Sequence, residues 1–254
     1  MKNIFLFPAN GIHHNAYHSI FSQKYTVEPI IYAPLKTPST PPPLNLKWSQ
    51  FFSDINDIVY GNNNVGIGHS LGGTLLLHNA IKYPQRWKKI IIIEPAIFSK
   101  KIYWAYKLIR FLKLEYKTHP MIQLTKNRRE QFESIENTFK RWRNYPTFKY
   151  LSNDNLLDYV KASIVESENT FKLRFPKQWE IEIYRGMCSL DSFIWQNIQN
   201  LEAELIVIGA ETSNTFMRGA RQRLQEHADL FKIIPNTTHL LPFEVPKEIT
   251  DLIQ

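Results

Sequence analysis

Short apolar runs recur along the chain, separated by segments of crossover length. The runs lie at 3–7, 27–32, 64–68, 89–94, 204–209 and 229–235. Several of them are continuous rather than alternating, which is typical of strands that are covered on both faces. Helix-like segments lie between them at 48–60, 71–83, 215–227 and 245–253. This alternation predicts an α/β fold: a mostly parallel sheet with helices on both faces.

One interval breaks the alternation, because over a hundred residues separate the run at 89–94 from the run at 204–209. That stretch is aromatic and charged, with amphipathic pieces at 100–114 and 127–142. We therefore expect a helical insert over 99–191, with 1–98 and 192–254 forming one core domain. The proline-rich segment 37–43 reads as a stiff loop rather than as a linker between domains.

The net charge of +8 is concentrated in the middle of the chain, where residues 99–150 hold 13 basic and 4 acidic groups. A positive patch of this kind attracts nucleic acid, an anionic membrane or an acidic substrate. No nucleic-acid-binding motif accompanies it, so a solvated, lysine-rich helical surface is the preferred interpretation and no nucleic-acid partner is expected. The sequence leaves the oligomeric state open.

The N-terminus and the cysteine content bear on the compartment. The first apolar run is cut short by Pro8 and Asn10, which makes it too short for a signal peptide or a membrane span. Cys188 is the single cysteine, so no internal disulfide framework exists. We expect a cytoplasmic protein without stable membrane insertion.

The strongest motif lies at 68–72, which reads Gly-His-Ser-Leu-Gly between a predicted buried strand and a predicted helix. A G-x-S-x-G sequence in this setting predicts a nucleophile elbow, a sharp turn that exposes a serine above the sheet. Gly68 and Gly72 leave room for the turn, and Gly73 extends that relief into the helix. Ser70 is therefore the candidate nucleophile, beside the positive end of a helix dipole.

A serine hydroxyl needs a general base before it becomes a good nucleophile. His239 lies in a polar turn after the last predicted strand and before the final helix, where such a base is expected. His69 and His78 lie beside the nucleophile in the elbow and its helix, while His119 and His227 lie in the insert and at a helix end. His239 is accordingly the candidate base.

Together these features resemble the α/β-hydrolase superfamily, and more narrowly its capped, esterase-like members. The resemblance covers nearly the whole chain and rests on FPANG (7–11), GHSLGG (68–73), IEPAIF (93–98), LIVIGAETSNTF (205–216) and THLLPFEVP (238–246). It implies a sheet that begins at the family's third strand, and a helical cap inserted between the family's sixth and seventh strands. It implies no cofactor.

The resemblance also implies an oxyanion hole formed by the backbone N–H groups of Leu71 and Ile12. Two preorganised amide donors stabilise the negative charge that develops on a carbonyl oxygen during acyl transfer. Asn10 and Gly11 precede the second donor, and Gly11 permits close approach of the backbone. A simple turn after the first strand is the alternative interpretation of this pair.

Three neighbouring histidines, His13, His14 and His18, invite comparison with a metal site. No cysteine or carboxylate stands at ligand spacing from them. We expect histidines at the pocket rim or the surface, and no metal.

The third member of the triad, the acid that orients the base, is not where the resemblance predicts it. Asn214 occupies that position in the loop after the strand at 204–209, and an asparagine offers no charge. Glu94, at the end of the strand at 89–94, is the preferred acid, and Glu211 is the alternative. Asp191 is a third, weaker possibility. A structural carboxylate bonded to backbone amides is the alternative interpretation of Glu94.

The sequence thus predicts a serine hydrolase that cleaves a small or apolar carboxylic ester through an acyl-enzyme. The insert is expected to close over Ser70 as a cap, with some of its aromatic side chains lining the pocket. A thioesterase or acyltransferase on the same scaffold is an alternative. So is a non-catalytic ligand-binding protein with a degraded triad, an interpretation that rests on Asn214.

Overall fold

A computed structural model gives the fold and describes residues 3–21 and 25–253. The strands of the described residues are β1 (Ile4–Phe7), β2 (Glu28–Pro29), β3 (Asn64–His69), β4 (Trp87–Ile93), β5 (Gln131–Phe132), β6 (Ile164–Ser167), β7 (Thr170–Leu173), β8 (Glu204–Ala210) and β9 (Leu230–Ile234). Six of them form a parallel sheet in the order β2-β1-β3-β4-β8-β9. The six apolar runs all contribute to this sheet, which confirms the predicted fold class.

The helices surround the sheet and connect its strands. They are α1 (His18–Phe21), α2 (Ala33–Lys36), α3 (Phe52–Ile58), α4 (Leu71–Lys82), α5 (Lys100–Phe111), α6 (Glu115–Thr118), α7 (Pro120–Asn127), α8 (Ile135–Arg143), α9 (Asn153–Ser163), α10 (Lys177–Arg185), α11 (Asp191–Asn197), α12 (Arg218–Gln225), α13 (Leu241–Glu244) and α14 (Pro246–Thr250). Each helix predicted between strands of the sheet is present, although 48–60 begins with a 3-10 turn at Trp48–Phe51. No helix of the described residues is long and apolar enough to cross a membrane.

The four inner strands of the sheet, β1, β3, β4 and β8, are mostly buried on both faces, which explains their continuous apolar sequences. In β1, Phe5 and Phe7 belong to one hydrophobic cluster, whereas Ile4 and Leu6 belong to the other. Helix α4 packs on the first face through side chains such as Leu75, which is fully buried. The segment 99–191 contributes side chains to both clusters.

The segment 99–191 is not purely helical, contrary to the sequence-based expectation. It contains α5 to α10 and also a three-stranded antiparallel sheet in the order β5-β7-β6. The stretch 127–142, predicted as one amphipathic piece, splits into β5 and α8, because Ser134 caps α8 by accepting the Asn137 N–H at 3.0 Å. Strands β5, β6 and β7 are short and mix polar with apolar residues, so they lack the apolar runs that identify the strands of the main sheet.

Candidate functional site

Ser70 lies in a strained turn between β3 and α4. Its backbone has φ 55° and ψ −116°, a conformation that costs a residue with a side chain about 1–3 kcal/mol. The Ser70 N–H donates to the Ile93 carbonyl of the neighbouring strand at 2.9 Å, and this bond holds the turn in place. The residue is only 8% exposed. The local geometry is that of the predicted elbow.

The glycines of the motif are required by close backbone contacts. A Cβ atom on Gly68 would lie 2.7 Å from the Gly72 carbonyl oxygen. A Cβ on Gly72 would lie 1.9 Å from the carbonyl oxygen of Phe7, at the end of β1, so the start of α4 is pressed directly onto that strand. Gly73 is less crowded, since its nearest contact would be 3.1 Å away. The elbow is thereby fixed to the end of β1.

The two backbone donors expected in an oxyanion hole lie at the start of α4 and in the loop after β1. Leu71 is the first residue of α4, where N–H groups have no partner within the helix. The Ile12 N–H donates to the Ala9 carbonyl at 3.4 Å, a long bond that closes a turn. Gly11 has φ +74°, in the left-handed region that favours glycine.

The loop after β1 is fastened to helix α10. Asn10 donates from Nδ2 to the Glu180 carbonyl at 3.1 Å. A Cβ atom added to Gly11 would point at the buried Glu180 carboxylate and would lie 2.8 Å from its Cδ atom. Glu180 itself is paired with Arg128 and accepts the Thr125 hydroxyl at 3.0 Å. The segment 99–191 therefore touches the backbone beside the candidate oxyanion hole.

His239 faces a carboxylate, and that carboxylate belongs to Glu94. His239 Nδ1 lies 3.3 Å from Glu94 Oε2. The other oxygen of Glu94 accepts the Ala210 N–H at 2.6 Å and lies 3.5 Å from an Arg221 nitrogen. Glu94 is fully buried and has φ 47°, so the chain turns sharply where β4 ends. This turn places the carboxylate across the end of β8, below the imidazole.

The other acid candidates lie elsewhere in the structure. Glu211 is exposed, and its Oε2 accepts the Asn236 N–H at 2.9 Å in the turn after β9. Asn214 is exposed, and among the described residues it makes no hydrogen bond to His239. Asp191 is buried and accepts the Phe98 N–H at 3.0 Å. Burial raises the pKa of Asp191 to about 7, which is typical of a structural acid without a cationic partner.

The loop that carries His239 is held on both sides. Thr238 donates its N–H to Glu244 Oε2 at 2.7 Å, and its hydroxyl bonds the other oxygen of the same carboxylate. Thr212, in the loop after β8, donates its N–H to the Thr237 carbonyl at 3.1 Å. These contacts fix the backbone that leads into His239.

The elbow histidine, His69, connects three parts of the site. Its Nδ1 lies 2.7 Å from the Tyr17 hydroxyl, and its Nε2 lies 2.8 Å from the His239 carbonyl. That hydroxyl also accepts the Ala9 N–H at 3.1 Å. Burial, reinforced by the neighbouring His239, lowers the pKa of His69 well below its ordinary value, so its ring is neutral.

These hydrogen-bond partners determine which atoms of Tyr17 and His69 carry protons. Burial raises the pKa of Tyr17 well above its ordinary value, so the hydroxyl keeps its proton and donates it to His69 Nδ1. The ring proton of His69 then lies on Nε2 and is donated to the carbonyl of His239. The loop after β1, the elbow and the base loop thus share one chain of hydrogen bonds.

No hydrogen bond joins the Ser70 hydroxyl to His239 within the described parts of the chain. Hydrogen bonds of catalytic groups are often long or misaligned in a free enzyme and tighten when substrate binds. The arrangement holds a hydroxyl, an imidazole backed by a carboxylate, and backbone N–H donors at the ends of adjacent strands. These are the groups that acyl transfer requires.

The histidines after β1 have individual roles. His13 is buried and caps the 3-10 turn at His14–Tyr17 by accepting the Asn15 N–H at 3.1 Å, so of the two expected places, the pocket rim and the surface, it does not occupy the surface. Burial and the nearby His14 and Arg174 lower the pKa of His13 to about 3. His18 is exposed. Over residues 3–21 and 25–253, no group of three or more His, Cys, Asp or Glu side chains is arranged to hold a metal ion.

Three residues of this site escape sequence reasoning. Tyr17 lies in a histidine-rich stretch without a motif, Arg221 is one of three arginines in α12, and Glu180 lies in the insert. Each acts through a contact between segments far apart in the chain, and no local spacing marks such a contact. The continuous apolar residues before Glu94 are the one sequence signal for the acid, because they imply a buried carboxylate that needs partners.

Solved structures resemble this chain closely in fold and weakly in sequence. The peroxisomal alpha-beta-hydrolase Lpx1 of Saccharomyces cerevisiae has a TM-score of 0.72 and 17% identity, with 99% of this chain and 75% of that chain covered. The thioesterase domain from the curacin biosynthetic pathway has a TM-score of 0.72 and 12% identity, with 99% and 90% covered. An esterase of Mycobacterium tuberculosis has a TM-score of 0.64 and 13% identity, with 99% and 83% covered. Identities this low show a common fold.

The family assignment comes from the sequence itself. A search of curated protein sequences finds no significant relative of the chain. The family model described as serine aminopeptidase, S33, matches residues 48–246, which is well over half of the chain and includes the elbow, the three acid candidates and the base loop. The chain therefore belongs to this S33 family, within the α/β-hydrolase superfamily.

Proposed function

We propose that this hydrolase is a serine esterase, and that it cleaves a small or apolar carboxylic ester through an acyl-enzyme. One observation carries the proposal: a left-handed elbow serine is followed in the chain by a histidine whose Nδ1 lies 3.3 Å from a buried carboxylate. A binding protein has no need for a strained serine and a histidine–carboxylate pair, because both features cost folding free energy.

The roles of the residues follow from the geometry. The Ser70 oxygen attacks the ester carbonyl carbon while His239 Nε2 accepts the hydroxyl proton. Glu94 accepts a hydrogen bond from the Nδ1–H group of His239 and stabilises the imidazolium that forms. The N–H groups of Leu71 and Ile12 donate to the oxyanion, the latter by exchanging its 3.4 Å bond to Ala9 for the substrate oxygen.

The tetrahedral intermediate collapses when the bond to the leaving oxygen breaks. His239 returns its proton to that oxygen, and an alcohol departs, leaving the acyl group on Ser70. A water molecule then attacks the acyl carbon as His239 takes one of its protons. Collapse of the second intermediate releases a carboxylic acid and restores the serine hydroxyl. No cofactor enters either half of the reaction.

Contacts with the insert 99–191 hold the base loop. Phe243 packs against Tyr17 at a ring distance of 4.8 Å and against Tyr159 of α9 at 5.2 Å. In addition, Asn155 of α9 donates to the Phe243 carbonyl at 2.8 Å. Since α9 touches the base loop and α10 touches the loop after β1, we assign 99–191 the role of a cap that limits the size of the substrate.

The degraded-triad alternative loses its basis under this assignment. That alternative rested on the uncharged Asn214 in the loop after β8. The carboxylate of Glu94, at the end of the neighbouring strand β4, lies against the base instead. A thioesterase remains the second candidate, because a structural neighbour is a thioesterase domain and the same groups cleave both bonds. The single cysteine, buried as a thiol, also fits the cytoplasm as the site of action.

Labelling with a fluorophosphonate probe, read out by intact mass, tests the proposal. Wild-type protein should gain one label, and Ser70→Ala should gain none. Glu94→Gln should label more slowly than Glu211→Gln, which serves as the matched control. Absence of labelling on folded wild-type protein would refute the proposal. Release of free acid from matched esters and thioesters, with an added alcohol as competitor, then separates hydrolysis from acyl transfer.

A further inference from the structure

Exposed apolar side chains of this protein are concentrated on one short stretch. Of the thirteen large hydrophobic residues that are exposed in the described part of the chain, seven lie between residues 104 and 124. Four of them, Trp104, Leu108, Phe111 and Leu112, belong to or directly follow helix α5. Their spacing of three and four residues puts them on one side of the helix. We call this side the α5 face.

The α5 face points away from the core. The opposite side of the helix is anchored, since Tyr106 is buried and donates to the Arg185 carbonyl at 3.1 Å. Phe111, in contrast, is 82% exposed and Trp104 is 61% exposed. Helix α7 continues the pattern, because its Leu124 is 65% exposed. Clusters of exposed apolar side chains mark interaction sites more often than scattered ones do.

Cations surround these apolar side chains. The stretch from 100 to 129 carries nine basic residues and one acidic residue, Glu115, which is buried in an ion pair with Arg185. Lys100, Lys101 and Lys107 lie on α5 itself and are exposed. In the part of the chain that the structure describes, none of these three forms a salt bridge. Their charges remain available to an anionic partner.

We propose that the α5 face docks on an anionic lipid surface. Helices that lie in a membrane interface combine lysines with tryptophan, phenylalanine and leucine, and bind by apolar burial plus attraction to acidic headgroups. Both parts of that combination are present here. The chain adsorbs to the bilayer surface in this mode and does not span it.

Two other partners fit the face less well. Nucleic acid would use the lysines but would leave the apolar side chains of Leu108, Phe111 and Leu112 without a role. A second copy of the chain, related by a two-fold axis, would bring the same patch together and oppose lysines to lysines. A lipid surface satisfies the charges and the apolar side chains at once.

Vesicle binding tests this inference. The protein carrying Ser70→Ala is mixed with vesicles of phosphatidylcholine alone, or of equal parts phosphatidylcholine and phosphatidylglycerol, and pelleted. We expect binding to the anionic vesicles and weakening by salt. Phe111→Ser with Leu112→Ser, and separately Lys100→Glu with Lys101→Glu, should each lower the partition coefficient by at least about 10-fold. Leu44→Ser and Lys247→Glu, exposed residues outside the stretch, are the matched controls.

Tryptophan fluorescence supplies a second readout. Trp104 is exposed, whereas Trp48, Trp87, Trp142, Trp179 and Trp195 are all buried. Docking should therefore shift the emission of Trp104 to shorter wavelength and protect it from acrylamide, and Trp104→Tyr should remove the change.

Three outcomes would overturn the inference. The first is equal binding of all variants, or no binding to anionic vesicles. The second is retention of a DNA duplex that depends on the lysines and not on Phe111. The third is self-association that the Phe111 variant abolishes. Because Ser70→Ala protein is used, none of these results depends on the esterase proposal.

Discussion

His69 Nε2 donates to the backbone carbonyl of His239 over 2.8 Å, so the residue before the elbow serine supports the loop of the candidate base. This contact passes through a fully buried, neutral ring whose tautomer is set by Tyr17. The proposed nucleophile and base are thus positioned by a shared hydrogen bond that involves neither reacting group.

The first prediction concerns His69 as a positioning residue. His69→Leu keeps much of the volume but loses the donor, so the base loop should shift and kcat should fall by roughly 10- to 100-fold with little change in KM. His69→Gln keeps an N–H donor and should restore part of the loss. Steady-state kinetics on both variants, with thermal unfolding as a stability check, tests this. Equal kcat values for the two variants would point to a purely structural role.

The second prediction distinguishes the two carboxylates. Glu94→Gln retains an acceptor for the Ala210 N–H but removes the charge opposite His239, so kcat/KM should fall on the order of 10² to 10⁴-fold. Glu211→Gln alters an exposed group that bonds a backbone amide, and should leave kcat/KM within about threefold of wild type. Ester hydrolysis under subsaturating substrate measures both. The reverse ranking would transfer the role to Glu211.

The third prediction concerns the loop after β1. Gly11→Ala introduces a side chain at φ +74° and 2.8 Å from the Glu180 carboxylate, so the Ile12 N–H should be displaced and kcat/KM should fall by about 10²-fold. Gly61→Ala is the matched control, because Gly61 has φ +69° with no contact closer than 3.6 Å. Both variants place a side chain on a backbone with positive φ, so both are strained. Only Gly11→Ala should lose activity. Equal losses would assign the effect to strain alone.

The fourth prediction concerns stability and pH. Burial raises the Asp191 pKa from 3.8 to about 7, so the folded state holds a proton that the unfolded chain has released within this range. The free energy of unfolding should therefore fall as pH rises from about 4 to about 7, by up to about 4 kcal/mol from this group. Urea denaturation at several pH values, compared between wild type and Asp191→Asn, isolates the contribution. An unchanged slope in the variant would contradict the assignment.

The sheet and the elbow were predictable because their causes are local. Each strand of the main sheet lies within or overlaps one of the predicted apolar runs, and residues 68–72 lie between a strand and a helix in both sequence and structure. The position of His239 was also predictable, because this residue follows the last strand of the sheet. These features depend on burial patterns and chain order alone.

The choice of acid and the small sheet were not predictable to the same degree. Glu94 reaches His239 because the chain enters a left-handed turn at the end of β4. A run of isoleucines does not predict such a turn. Strands β5, β6 and β7 pair across the insert by backbone hydrogen bonds, with side chains that are mixed in polarity. Both features are set by tertiary contacts.

The contact of Gly72 with the Phe7 carbonyl has a consequence for redesign of this enzyme. With 1.9 Å between that oxygen and the position of an added Cβ, the joint between α4 and β1 tolerates no added volume, so its geometry cannot be retuned by substitution. We expect changes in 99–191, the proposed cap, to accommodate new substrates without moving the elbow. Mutant libraries directed at the insert should therefore yield many folded variants, and libraries directed at this joint should yield few.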